Sequence, residues 1–409
     1  MRLAWVSPLP PMPSGISDYS VELLEYLRES SEVEAVCPRP GLLRRPRAPA
    51  GVPVVSTDEF QRRADRYDAI FYHLGNNPWH EFVYELALKV PGVAVFHDFV
   101  LHHLLAAMTI EGGGRRDPAR YRAIMRSEYG DLGDRLAWLR LRWVATDYEK
   151  FLFPVNRHAA ERAQAIVVHS EDSRERMRDI APDVPVVVIP HHAGRPPEGV
   201  SGVDRTTARE RLGLPTDAFL VGHFGFITRP KQPAAVVGGF ARLAATHPEA
   251  RMIMIGSDNT GGGLDRLIRR HRLRDRVTST GFVDLERFYL YLKAVDVVVN
   301  LRYPSAGESS GTFSRALAEG RAVIVNNLGS FAEIPADVAL KVEIDADQAE
   351  GVGAHLIHLA RDPAFRARIE ANARAYAGAV LDPIRCRDLY LSVAKLEALK
   401  RAVPADASG

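Results

Sequence analysis

The stretch from Ala294 to Pro335, AVDVVVNLRYPSAGESSGTFSRALAEGRAVIVNNLGSFAEIP, leaves little freedom in what this chain can fold into. Asp296 to Leu301 is an apolar, β-branched run of strand length, and Arg321 to Val325 is a second, ending in Asn326 and Asn327. Between them Gly307-Glu308-Ser309-Ser310-Gly311 can turn tightly, and Thr312 to Glu319 has helix composition with Gly320 at its stop. A strand, loop, helix, strand unit with two such apolar strands belongs in a buried parallel sheet. The start of its helix offers unpaired N–H groups and a positive dipole end, which suit a phosphate or an oxyanion. Glu308 stands at the mouth, and beside an anion a carboxylate is suited to accept hydrogen bonds from neutral hydroxyls.

Taken alone, the loop fits a plain turn between strand and helix. Gly307-x-Ser309-x-Gly311 also satisfies the spacing of a serine-hydrolase elbow, which needs its serine on a sharp turn directly after a strand. Arg302 to Ala306, with Pro304, intervene, so that geometry is disfavoured.

The same alternation fills the rest of the chain. Leu3–Val6 is a short strand, followed by SPLPPMPSGISDYS and a helix expected from Asp18 to Arg28; Ser14-Gly15-Ile16 just before it presents amides to a second anion site. Val33–Cys37, Val52–Ser56, Ala69–His73, Val93–Phe96, Ala165–His169 and Val186–Ile189 read as further strands, and Pro38–Pro49 as an exposed loop. Polar residues just past the carboxyl ends of parallel strands line a ligand crevice, which places His73, Asn76, Asn77, His80, His97 and Asp98 near it. A metal site from His97, Asp98, His102 and His103 is disfavoured, because adjacent helical residues diverge. Residues 101–162 are helical in composition, interrupted by Gly112-Gly113-Gly114, and read first as an insertion packed on its own domain and second as a membrane-surface helix.

Strands then restart at Phe219–Phe224, Arg251–Gly256 and Arg276–Thr280, alternating with helices. At 409 residues the chain exceeds one core, and two βαβ arrays in series predict two Rossmann-like domains with a cleft between them. The expected domains are 1–195, with the helical insertion, and 196–380; a helix over 381–409 is expected to pack back on the first. Asp345-Ala346-Asp347 has the D-x-D spacing of metal-dependent sugar-nucleotide enzymes, but aspartates before a helix commonly cap it. A net charge of +2 argues against a dedicated nucleic-acid binder. Cys37 and Cys386 match no metal or redox spacing and read as reduced thiols. Met1–Ser7 is too short for a signal peptide and no apolar run has the length of a membrane span, so a cytoplasmic protein, soluble or peripheral at the inner face of the membrane, is expected.

In this order the features resemble the retaining glycosyltransferases of family 4, whose two Rossmann-like domains form the GT-B fold. The likeness is strongest from Val221 to Pro335. Ser14-Gly15-Ile16 matches the family's amino-terminal glycine loop at the donor diphosphate, and His97-Asp98 the histidine that faces the donor sugar. In GFITRPK, Lys231 matches the family's lysine, while Phe226 stands where the family has arginine, and Arg229 is the candidate substitute. Glu308 resembles the first of two family glutamates; the second, for the ribose, falls on Arg315. The resemblance implies metal-independent, cofactor-free transfer from a UDP- or GDP-linked sugar with retention. Lys231, Arg229 and the loop Gly307, Ser309, Ser310, Gly311 and Thr312, with Arg315 beside it, would hold the donor, and His97 and Glu308 its sugar. The acceptor would lie near His73, Asn76, Asn77, His80 and Asp98. Phe226 and Arg315 motivate an alternative, a catalytically silent GT-B protein that binds a nucleotide sugar or a partner; a hydrolase using Ser309 is the remote third.

Overall fold

The computed structural model describes residues 1–38, 45–112, 116–345 and 347–402. Thirteen strands are assigned in them, all in parallel pairings. The first sheet contains β1 (Arg2–Val6), β2 (Glu32–Val36), β3 (Val54–Val55), β4 (Ala69–Leu74), β5 (Val93–Phe96), β6 (Ala165–Val168) and β7 (Val186–Val188), in the order β3-β2-β1-β4-β5-β6-β7. The second contains β8 (Leu220–Phe224), β9 (Arg251–Ile255), β10 (Val277–Gly281), β11 (Val297–Val299), β12 (Ala322–Asn326) and β13 (Leu340–Val342), in the order β10-β9-β8-β11-β12-β13. The chain divides accordingly into two compact units. One holds Met1–His192, the loop segment Ala306–Ser309 and the chain from Pro383; the other holds Ala193–Ser305 and Ser310–Asp382.

Each sheet is buried on both faces because successive strand residues point to opposite sides. Leu3 and Trp5 of β1 enter one core and Ala4 and Val6 the other. Along β12, Ala322 and Ile324 join one core of the second unit, and Val323 and Val325 join its other. Continuous apolar runs are therefore what these strands require.

Several expected boundaries move, each for a local reason. The first helix is Gly15–Leu27, three residues earlier than expected, because Ser14 Oγ accepts from the Ile16 N–H and caps it. The helix after β11 begins at Gly311, capped by Ser310 Oγ accepting from Phe313 N–H. β13 follows β12 after a thirteen-residue connection that includes a 3-10 turn at Gly329–Phe331, and it was not expected; its Leu-Lys-Val is too short to announce itself by pattern. Asp347 caps the helix Gln348–Arg361 through the Glu350 N–H and pairs with Arg242, while Ala346 of the D-x-D lies outside the described residues.

The 101–162 stretch is a succession of short helices around a long one: His102–Ala106, running into a π-helical turn at Ala107–Glu111, then Pro118–Leu141, bent at Gly130, then Glu149–Leu152 and Arg157–Glu161. Leu105, Tyr121, Met125, Ala137 and Val155 give it a core of its own. Gly113 and Gly114 of the expected break, and residues 39–44 of the expected exposed loop, lie outside the described residues. The helix Pro383–Ala402 lies in the first unit, where the Tyr390 and Tyr19 hydroxyls meet at 2.9 Å and the Tyr390 ring packs on Trp5. Among the described residues no helix is long and apolar enough to cross a membrane.

Candidate active site

In the first sheet the strand order reverses between β1 and β4, and the loops after these two strands meet there. Such a switch point is where open α/β sheets bind ligands. The β1 loop ends in Ser14, Gly15 and Ile16, so the amino end of the Gly15–Leu27 helix opens there. The β4 loop supplies Gly75, whose missing side chain makes room for the Ile16 methyl and the His80 ring. Ser14 Oγ lies 3.3 Å from His80 Nε2, tying the two loops together.

The expected crevice residues are gathered at the ends of β4 and β5, but most are committed inward. His80 is buried and its Nδ1 donates to the His73 carbonyl at 2.7 Å; burial holds its imidazole down at about 4, hence neutral. Asn76 Oδ1 accepts from the His103 and Leu104 N–H groups, capping the helix His102–Ala106, and its own N–H donates to Asp98. Asn77 caps the next turn through the Trp79 N–H.

His73 and His97 belong to a chain of three rings whose direction can be worked out. His169 Nδ1 donates to the Ile189 carbonyl at 2.7 Å, because a carbonyl can only accept. Its Nε2 therefore accepts from His97 Nδ1 at 3.1 Å, and His97 Nε2 accepts from His73 Nδ1 at 2.9 Å. The rings are neutral in this pattern, in agreement with burial, which lowers the pKa of all three. His97 is 5% exposed and both its nitrogens are engaged, so its ring has no hydrogen-bonding atom left for a sugar. Among the described residues no group of three or more His, Cys, Asp or Glu is arranged to hold a metal ion, the disfavoured quartet at 97–103 included. His169, His191 and His192 were passed over in the sequence, although each also follows a strand end.

Residues 306–309 pack with this same unit. The Ala306 carbonyl accepts from Val100 N–H, the Gly307 carbonyl accepts from Ser173 Oγ at 3.4 Å, and Glu308 Oε2 accepts from Ala306 N–H at 2.7 Å. Gly307 has a φ of 73° and lies against Phe99, a position without space for a side chain. Ser309 follows the end of β11 after a long loop, and its Oγ has no hydrogen-bond partner among the described residues. It is neither on an elbow nor beside a base.

In the second sheet the order reverses between β8 and β11. Lys231 follows β8, and its Nζ donates to the Phe224 carbonyl at 2.8 Å. Gly225, with a φ of 83°, leaves the space that the lysine head occupies. Arg229 is exposed in the same loop, and Phe226 is 48% exposed. After β11 come Asn300, Ser310, Gly311 and Thr312. Ser310 Oγ donates to Asn300 Oδ1 at 3.3 Å, while the buried Asn300 Nδ2 has no partner among the described residues. At the end of β8 the His223 Nδ1 donates to the Val299 carbonyl; burial and then the charge of Lys231 hold this imidazole at about 3. Asn300 thus joins Ser310 at the amino end of the Gly311–Ala318 helix, while the neutral His223 lies near the end of the adjoining strand β8 and Lys231 follows it. His223 and Asn300 were missed in the sequence because each sits inside an apolar run that reads as strand. Arg315 is turned into the unit, 8% exposed, with Nε donating to the Tyr289 hydroxyl.

Two Rossmann-like parallel sheets, each with a helix start at its switch point, define a GT-B protein. Residues 204–376 match the model of the family described as glycosyl transferases group 1. A curated relative, the D-inositol 3-phosphate glycosyltransferase of Stackebrandtia nassauensis, is 29% identical over 53% of this chain and 50% of its own length. The chain thus spans about half the length of the curated relatives it matches. The sucrose-phosphate synthase of Thermosynechococcus elongatus shares the fold with a TM-score of 0.65 at 17% identity, covering 98% of this chain and 100% of that one. Anabaena HepE, solved in complex with UDP-glucose, does so with a TM-score of 0.65 at 16% identity, covering 97% and 100%.

Proposed function

We propose that the protein transfers a sugar, with retention, from a UDP- or GDP-linked donor to an acceptor held by the first unit. The observation that carries this reading is the β8/β11 switch point, where Lys231 and the start of the Gly311–Ala318 helix follow adjoining strands. A leaving diphosphate gains charge in the transition state, and Lys231, Arg229, the Asn300 amide and the amides of Gly311 and Thr312 are the stabilisers, with no metal required. Glu308 orients donor hydroxyls. His97 acts as a positioning residue, its ring locked between His73 and His169. That the relative from Stackebrandtia is named a glycosyltransferase and that HepE binds UDP-glucose both support the reading.

The test is thermal-shift titration with UDP, GDP, ADP and their sugar conjugates, followed by transfer assays with the stabilising donor and NMR of the product anomer. At ~100 times Kd a specific ligand adds about 2.7 kcal/mol of stability. Lys231→Ala should abolish the shift. A second reading, a silent nucleotide-sugar binder, is favoured by Phe226 in place of a cation. Donor binding without hydrolysis or transfer would establish it.

A further inference from the structure

The helix Pro118–Leu141 ends in a turn that is built at a cost. Trp143 N–H donates to the Arg140 carbonyl at 2.9 Å and Val144 N–H to the Leu139 carbonyl at 3.1 Å, which makes a Schellman turn with Trp143 in its left-handed position, φ 61°. Glycine suits that position, because a Cβ there crowds the adjoining carbonyl. Packing does not compensate for the tryptophan, which is 82% exposed. The work of this ring is on its outer face.

That face lines a cavity of about 820 Å³ shared with Glu111, Arg116, Arg140, Leu141 and Asp147. Its polar groups are held in place. The Arg140 guanidinium donates to Glu111, to Glu149 at 2.7 Å and to Asp147 at 3.0 Å, and Lys150 donates to Glu111 at 2.7 Å. The Arg140 and Lys150 side chains are 8% and 5% exposed, so both cations are held by their carboxylates largely out of solvent. Arg140 Nε has no partner among the described residues. Glu111 is delivered by the π-helical turn Ala107–Glu111, a backbone form that gathers at functional sites.

An aromatic platform beside balanced, preorganised donors and acceptors matches one ligand chemistry. A sugar ring lays its C–H face on an indole, and its hydroxyls both donate and accept. A simple ion would call for an excess of one charge, whereas Glu111 and Asp147 here face Arg116 and Arg140. A bilayer would not favour a carboxylate as exposed as Asp147, at 81%. We propose that the helical insertion carries a saccharide-binding site with Trp143 as its stacking platform. It uses none of the switch-point residues and is independent of the transfer reading, since no nucleotide takes part.

The experiment is calorimetric titration of the full chain, without nucleotide, with maltohexaose, cellohexaose and mannohexaose. At least one should bind saturably. Trp143→Gly should weaken that binding about tenfold while leaving the melting temperature unchanged or higher, because glycine relieves the turn. Asp147→Asn should weaken it as well. Binding by none of the three, or binding that Trp143→Gly leaves intact, overturns the proposal. So does partition onto phosphatidylglycerol vesicles that Trp143→Gly abolishes.

Discussion

His73 Nδ1 donates to His97 Nε2 across 2.9 Å, and this bond fixes the state of the histidine at the end of β5. With His169 on its other nitrogen, the His97 ring is held in one tautomer and one orientation. Both of its ring nitrogens are thereby engaged within the first sheet.

The buried histidines make stability depend on pH. Burial holds His80 at about 4, His102 at about 3 and His223 at about 3, against an ordinary 6.5. Between those values and 6.5 the unfolded chain binds protons that the folded chain does not, so stability rises with pH there. The contribution is complete above pH 6.5 and is lost as pH falls toward about 3. Scanning calorimetry across this range should show the melting temperature falling steadily below pH 6.5; a flat profile contradicts the assignment.

The Tyr19 and Tyr390 hydroxyls are buried and share a 2.9 Å bond, which fastens the Pro383–Ala402 helix to the Gly15–Leu27 helix. Tyr390→Phe leaves the Tyr19 hydroxyl unpaired at a cost of about 1–3 kcal/mol. Adding Tyr19→Phe should recover part of that loss, because both partners are then apolar. Urea denaturation of the two single variants and the double variant gives the coupling, and strict additivity would count against a shared bond.

Gly75→Ala places a methyl against the Ile16 side chain and the His80 ring, the latter held by its bond to the His73 carbonyl. Overpacking of this kind destabilises by about 1–3 kcal/mol. Because it also pushes on the Ser14–His80 contact, donor binding should weaken together with stability. Loss of neither, in paired melting and nucleotide titrations, would show that the two loops can separate freely.

Asp296 is 4% exposed, bonded to Arg205 and Arg209, and accepts from the Leu220 N–H at the start of β8. Asp296→Ala leaves Arg209, itself 4% exposed, without its carboxylate. A loss of roughly 3–5 kcal/mol is expected, read from the denaturation midpoint. A drop below ~1 kcal/mol would mean that the arginines find other acceptors.

How far the chain can be read without coordinates depends on the range of the interaction. The two parallel sheets were legible because runs such as Val297–Val299 and Ala322–Val325 are apolar on both faces, a local signal of burial. The helix starts at Gly15 and Gly311 were legible to within a few residues from glycine and serine, since capping acts over three positions. β13, at three residues, was below that resolution.

Direction and occupancy were not legible. The strand-end rule located His73, His80 and His97, but the position of a residue along its strand does not say whether its ring faces the crevice or another ring. His73 meets His97 across 24 residues and His169 meets His97 across 72, and only the pairing of β4, β5 and β6 side by side brings the three into a line. Likewise Arg315 turned inward because Tyr289, 26 residues away, offers its hydroxyl. The sequence by itself determined the two sheets, their order of elements and the loops that end at each crevice, because these follow from periodicity and local sterics. Which nitrogen is engaged, which ring is buried and which tryptophan stands out over a cavity were decided by tertiary packing, since each depends on partners the chain supplies from far away.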